Sequence, residues 1–153
     1  MVTDLDKPYE GRFEAGVHRY AVRVYFEDTD AAGVVYYANY LRFMERARSD
    51  MLRAAGIAQR QAMENGAGAY AVAEVHIRYR VSARLDDDLL VLSQVREVRA
   101  AACVIQQRVM RGTEVLCEAT VTVALVGPDG RAKRQPPEWV QKFEDYKRQS
   151  LGE

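Results

Sequence analysis

Three carboxylates stand within four positions at Glu27, Asp28 and Asp30. A run of small and apolar residues follows, Ala31-Ala32-Gly33-Val34-Val35, and ends on Tyr36-Tyr37. Acids packed this closely can hold a cation, cap a helix, or supply an ionised base beside a substrate. Calcium fits poorly. Asp28, Asp30 and Gly33 match three places of a calcium loop, but Ala32 and Asn39 stand where oxygen ligands are required, and a strand pattern precedes the loop instead of a helix. His18 and His76 are the only histidines, too few for a familiar zinc site, so no metal is expected. The serines at 49, 82, 93 and 150 have no recognisable base beside them. Gly66 to Ala71 matches a dinucleotide fingerprint in letters only, because it precedes a strand and opens no helix. No cofactor is expected. Arg131-Ala132-Lys133-Arg134 reads as a solvated loop.

Two accounts of the acidic loop remain. Asp28 or Asp30 can be the N-cap of the helix that follows. Alternatively, the unpaired N–H groups and the dipole at a helix start hold Asp30 ionised and polarise a substrate carbonyl oxygen beside it. A carboxylate aimed at an activated carbonyl needs no serine, histidine or metal when the leaving group is as good as a thiolate.

The elements that must position this loop follow from hydrophobic period. Tyr20, Val22, Val24 and Phe26 alternate with polar residues and predict a half-buried strand. From Tyr36 the period becomes helical: Tyr37, Tyr40, Leu41, Met44, Ala47, Met51, Leu52 and Ala55 recur at three- and four-residue steps. The spacing predicts a helix from Tyr36 to Ala55, roughly 30 Å long, with Gly56 as its C-cap. Ala58 to Asn65 reads as a weaker helix or loop. Strands return with Ala73, Val75, Ile77, Tyr79 and Val81, then Leu89 to Val98, Cys103 to Met110, and Val115 to Leu125. Pro136-Pro137 opens a short helix with Trp139, Val140, Phe143 and Tyr146 inward.

The order β-α-β-β-β-β with a short C-terminal helix predicts an α+β fold on an antiparallel sheet. Residues 1–16 read as a flexible tail and 17–148 as one domain. One helix covers one face only, so a homo-oligomer is expected to cover the rest. The 153 residues carry 22 basic and 22 acidic side chains, a balance that points to no nucleic-acid partner. No apolar run is long enough to span a membrane. Cys103 and Cys117 read as buried thiols in a reducing cytoplasm, and a cytoplasmic location is expected.

The stretch Val24 to Arg53, VYFEDTDAAGVVYYANYLRFMERARSDMLR, resembles the front of the hotdog-fold acyl-CoA thioesterases. The branch is the 4-hydroxybenzoyl-CoA thioesterase-like one, of the YbgC type linked to the Tol-Pal envelope system. Ser82 to Asp87 is similar to a family turn, and the resemblance extends from about His18 to Val126. It implies a hotdog fold, an antiparallel sheet wrapped around one long central helix, assembled as dimers or tetramers with active sites between protomers. It implies acyl-CoA as substrate, Asp30 as the catalytic carboxylate and the backbone N–H of Tyr37 as donor to the thioester oxygen. Gly33 and Val34 of the same loop would line the substrate, and Arg99 would meet the nucleotide of coenzyme A. An envelope-system or acyl-carrier-protein partner is a further implication. Two alternatives use the same fold: an acyl-thioester dehydratase, which needs a histidine near the acid, and a non-catalytic partner in envelope assembly.

Overall fold

The computed structural model describes residues 1–152. A six-stranded antiparallel sheet runs β1 (Arg12–Glu14), β2 (Val17–Arg23), β4 (Asp88–Val98), β5 (Ala102–Arg111), β6 (Glu114–Val126), β3 (Ala69–Tyr79) from one edge to the other. The long helix α1 (Asn39–Ala54) lies across one face, with α2 (Gln59–Glu64) and α3 (Pro137–Ser150) beyond it. This is the hotdog arrangement. α1 buries Tyr40, Phe43, Met44, Ala47, Met51 and Leu52 against inward residues of the sheet such as Val91, Val95, Ile105, Val109 and Val121. Among the described residues no helix is long and apolar enough to cross a membrane.

α1 starts three residues later than its hydrophobic period predicts. The N–H of Tyr36 is taken by the carbonyl of Asp28 at 3.0 Å, and Asn39 N–H closes a turn on the Tyr36 carbonyl at 2.8 Å. The chain therefore turns once before it winds. The helix ends as expected. Gly56 has φ +80°, its N–H reaches the Arg53 carbonyl at 3.0 Å, and Ile57 N–H reaches Leu52 at 2.9 Å. This pair of bonds satisfies the terminal carbonyls and needs a left-handed residue at 56.

The 1–16 tail expectation needs a correction. Residues 12–14 form β1, an added edge strand paired in register Arg12↔Arg19 to Glu14↔Val17. What ties it down is outside its own sequence: the Gly11 N–H donates to Asp50 Oδ2 at 2.9 Å, and the Phe13 ring stacks on Tyr146 of α3 at 3.7 Å. The same Asp50 oxygen lies 2.7 Å from Nε2 of His18, which is fully buried on β2. Cys103 and Cys117 are free and buried, and burial pushes both thiols up to about 12.

The other edge, β3, is exposed over most of its length, unlike the other long strands β4, β5 and β6. Its register against β6 places Val72, Val75, Ile77 and Tyr79 on the helix side, opposite Val123, Val121, Ala119 and Cys117; an irregularity between Val72 and Glu74 keeps the apolar residues in phase. Val72 and Tyr79 nevertheless remain 49% and 44% exposed.

His18 makes the fold pH-sensitive in a definite direction. With Nε2–H donating to Asp50, protonation would add an N–H at Nδ1, which is buried and has no partner among the described residues. Burial accordingly lowers the pKa of His18 from its ordinary 6.5, with Asp50 opposing. A lowered pKa contributes stability that is fully present above about pH 6.5 and is lost as pH falls through the folded value. Denaturant melts at pH 7.5 and 5.5 are expected to show a larger loss for the wild type than for His18→Gln; equal losses would exclude His18 as the source.

Candidate active site

The acidic loop folds as a small hairpin before α1. Thr29 pairs with Val35; Asp30 N–H donates to the Val34 carbonyl at 2.8 Å, and Gly33 N–H donates back to the Asp30 carbonyl at 3.0 Å. Gly33 has φ +79°, the left-handed residue that closes a three-residue hairpin loop of this kind. Asp30 sits exposed at the turn. Its Oδ1 accepts the Ala32 N–H at 2.9 Å, and Oδ2 has no partner among the described residues. Asp28 is used differently, its Oδ2 accepting the Tyr25 N–H at 2.9 Å within a 3-10 turn at Phe26–Asp28.

Neither acid caps α1. The N-cap is Ala38, with no side-chain cap bond. Among the described residues the backbone N–H groups of Tyr37 and Ala38 donate to nothing, since Tyr36 and Asn39 make the bonds of this turn. Two adjacent unpaired donors at a helix mouth form a site for a carbonyl oxygen carrying negative charge.

The β3–β4 turn holds the loop from behind. Val35 N–H reaches the Ala83 carbonyl at 2.8 Å, Asp86 N–H reaches Val24 at 3.0 Å, and Val34 bridges to Arg84. Asp87 ties this turn together: it accepts Arg84 N–H at 2.8 Å and Arg111 Nη1 at 2.8 Å. The Arg84 N–H is the larger cause, and the Arg111 guanidinium the smaller, of a carboxyl held below the usual range. Tyr40 completes the clamp; its buried hydroxyl accepts the Ala83 N–H at 2.9 Å, and its ring meets Tyr79 edge-on at 5.7 Å. Tyr37 meets Tyr79 in the same way at 5.9 Å.

Asp30, Gly33, Val34 and Tyr37 thus share one loop. Arg99 is elsewhere. It stands in the β4–β5 turn, forked onto Glu97 at 3.0 and 3.1 Å. β4 begins beside the loop at Asp88 and runs about 33 Å before it reaches that turn. Neither histidine accompanies Asp30: His18 is sealed against Asp50, and His76 lies on the outer face of β3, opposite Thr120.

The sequence matches the family model of the Thioesterase-like superfamily over residues 24–143. The chain belongs to this superfamily. It is similar to the acyl-CoA thioesterase YbgC of Haemophilus influenzae, 49% identical over 107 residues that span 70% of this chain and 79% of the relative. The acyl-CoA thioester hydrolase YbgC of Escherichia coli is 42% identical over 72% of this chain and 82% of its own. Among solved structures, a probable thioesterase from Bartonella henselae superposes with a TM-score of 0.75 at 32% identity, covering 78% of this chain and 99% of that one.

Tyr40 and Tyr79 carry no chemistry by type, and the apolar period assigns them to packing; only the fold shows that they frame the loop. Tyr40→Phe leaves the buried Ala83 N–H without an acceptor, which should lower the unfolding free energy by about 1–3 kcal/mol. An unchanged urea midpoint would show that Tyr40 does not hold this turn.

Proposed function

We propose that this protein hydrolyses acyl-CoA thioesters to the free acid and coenzyme A. Asp30 acts as general base or nucleophile, and the N–H of Tyr37 receives the thioester oxygen. The observation that carries this reading is the pair of unpaired N–H groups at Tyr37 and Ala38, in the same short loop as a carboxylate with one free oxygen. As a base, Asp30 takes a proton from water while the water oxygen bonds to the carbonyl carbon. As a nucleophile, it bonds to that carbon itself, and water then opens the mixed anhydride. Both routes put negative charge on the carbonyl oxygen before the C–S bond breaks and the thiolate leaves. Gly33 fixes the turn, and Val34 lines it.

The working form in this reading is a dimer joined along β3. An exposed edge strand with free backbone groups and uncovered apolar side chains is a template for a second copy. Two such strands meeting antiparallel continue the sheet and cover Val72, Val75 and Tyr79. Arg99 would then reach a coenzyme A nucleotide only from a different protomer than the Asp30 it serves. A carrier-protein or envelope-system partner, and a cytoplasmic location, rest on the resemblance alone.

Asp30→Asn is expected to lower thiol release from acyl-CoA by roughly 10²–10⁴-fold or more, while Asp28→Asn does much less. Both amides retain an oxygen that can accept the local backbone N–H, so melting temperatures should stay near wild type. An Asp30→Asn protein that melts normally and still turns over at near the wild-type rate would defeat the reading.

Light scattering at micromolar concentration is expected to give at least a dimer. A charged residue at Val75, in the middle of β3, should shift the protein toward monomer. A monomeric wild type would remove the proposed edge contact.

A further inference from the structure

Asp30 accounts for the reaction but not for what the acyl group meets. On the flank of α1 that faces β3, a groove of about 360 Å³ opens between the helix and the sheet. Its apolar walls include Met51, Leu52, Tyr70, Ile105, Val123 and Phe143. One strongly basic group lines it. Arg48 is half-buried and makes a single hydrogen bond among the described residues, from Nη1 to the neutral Oε1 of Gln107 at 3.0 Å. Gln107 is itself fully buried and cannot move to serve it better, because its Nε2 donates to the Met44 carbonyl at 3.0 Å and to Ser93 Oγ at 2.9 Å. Glu45 lines the same groove but forms no ion pair with the guanidinium among the described residues. Burial lowers the pKa of Arg48, with Glu45 a lesser, opposing influence. None of the remaining guanidinium nitrogens is buried without a partner, so these donors stay open to the groove, where an oxygen of a bound molecule can take the place of water.

Within one chain the groove is far from Asp30. It sits at the start of β3, by Tyr70 to Val72, whereas the Asp30 loop packs by the end of β3 through Tyr37 and Tyr79. Seven residues of strand separate Val72 from Tyr79, about 23 Å. Antiparallel pairing of two β3 strands along their full length removes that gap. It sets the start of one strand beside the end of the other, at an interstrand spacing of about 4.8 Å.

We propose that this groove is the acyl site for the partner's thioester centre, and that Arg48 selects acyl groups carrying an oxygen acceptor at the far end, a carboxylate or a hydroxyl. The inference rests on the thioesterase reading and the β3 dimer, and adds to them a substrate class and a residue that reads it. Arg48 donates to the distal oxygen, and the apolar walls hold the methylenes. Glu45 accepts from a distal hydroxyl and opposes a carboxylate, so the ratio between these two substrates reports how the groove divides its charge.

The test compares pentanoyl-CoA, 5-hydroxypentanoyl-CoA and glutaryl-CoA, with uncatalysed release subtracted. The wild type is expected to favour at least one oxygenated chain over pentanoyl by about 10- to 100-fold in kcat/KM, the range of a hydrogen bond to a charged group. Arg48→Met should level that ratio, and Arg48→Lys should restore part of it. A wild-type preference for pentanoyl, or a ratio that survives Arg48→Met, overturns the proposal. So does a folded Arg48→Met protein that is inactive on all three.

Mixed dimers of Asp30→Asn and Arg48→Met chains place one intact acid opposite one intact groove, so mixing should recover the oxygenated-chain preference; no recovery overturns the sharing between protomers. Thermal shifts with free glutarate and pentanoate read the groove without turnover. Should no acyl-CoA release thiol, an Arg48-dependent shift with glutarate alone would leave the groove standing while the thioesterase reading fell. Equal shifts with both acids would sink the groove as well.

Discussion

One helix cannot cover this sheet. α1 has sixteen residues and is about 24 Å long, shorter than the roughly 33 Å run of β4. Its diameter of about 10–12 Å is only about half the width of six strands spaced 4.8 Å apart. Two flanks of the helix-bearing face are left over, and the chain treats them in opposite ways. Toward β1 and β2 it folds its own N-terminal segment back, with Gly11 and His18 meeting on Asp50 and Phe13 on Tyr146. Toward β3 the cover is partial: Trp139 and Phe143 of α3 meet Tyr70 at the start of the strand, and beyond them a groove and an exposed edge strand remain. The candidate chemistry is distributed along the open flank.

The acidic loop is positioned chiefly by backbone bonds. The hydrogen bonds fixing Asp30 run from Asp30 N–H to Val34, from Gly33 to Asp30 and from Val35 to Ala83, so its place survives changes to most nearby side chains. The side chains that matter are those that fix the turn behind it, Tyr40 and Asp87. This arrangement also accounts for the late start of α1. Had the helix begun at Tyr36, the N–H of Tyr36 would have been an unpaired helix donor and the Asp28 carbonyl would have lost one of its two donors, the other being Asn39 Nδ2. Delaying the first turn spends that bond on the hairpin and leaves the next two N–H groups, at Tyr37 and Ala38, open.

The period of the apolar residues made the sheet and the long helix legible, including the C-terminal stop at Gly56. It misplaced the start of α1 because Tyr36 and Tyr37 continue the apolar pattern while packing as an aromatic cluster with Tyr79. It missed β1 because three residues between Gly11 and Gly16 are too few to show alternation, and their anchors lie dozens of positions away. Asp28 and Asp30 were readable as unusual, but capping and catalysis predict the same residue types; only the hydrogen bonds separate them, and both capping candidates turn out to hold other N–H groups. Arg99 was legible as a cation and not as one neutralised by Glu97, since a two-residue spacing brings charges together only on the same face of a strand. Arg48 carried no signal at all, lying in a helix already rich in arginine.

The opposite flanks of α1 show what distinguishes a structural polar pair from a binding one. His18 is closed to solvent while Asp50 keeps a small exposed part, and the pair works by keeping the imidazole neutral: Nε2 has its acceptor, and Nδ1, without a partner among the described residues, is tolerable as long as it holds a lone pair and no proton. Nothing further can approach it. Arg48 has no such escape, because a guanidinium is charged at any ordinary pH and presents five donors whatever its surroundings. A neutral amide satisfies one of them, and the buried Gln107 has no second oxygen to offer. The rest stay open to the groove lined by Val123 and Ile105, so an oxygen acceptor entering from outside the chain finds donors already pointed into an apolar setting. In the proposed dimer, the edge that pairs with a second protomer would also bring the carbonyl site of that protomer to the same groove, and the acceptor would have a route in, attached to the acyl chain.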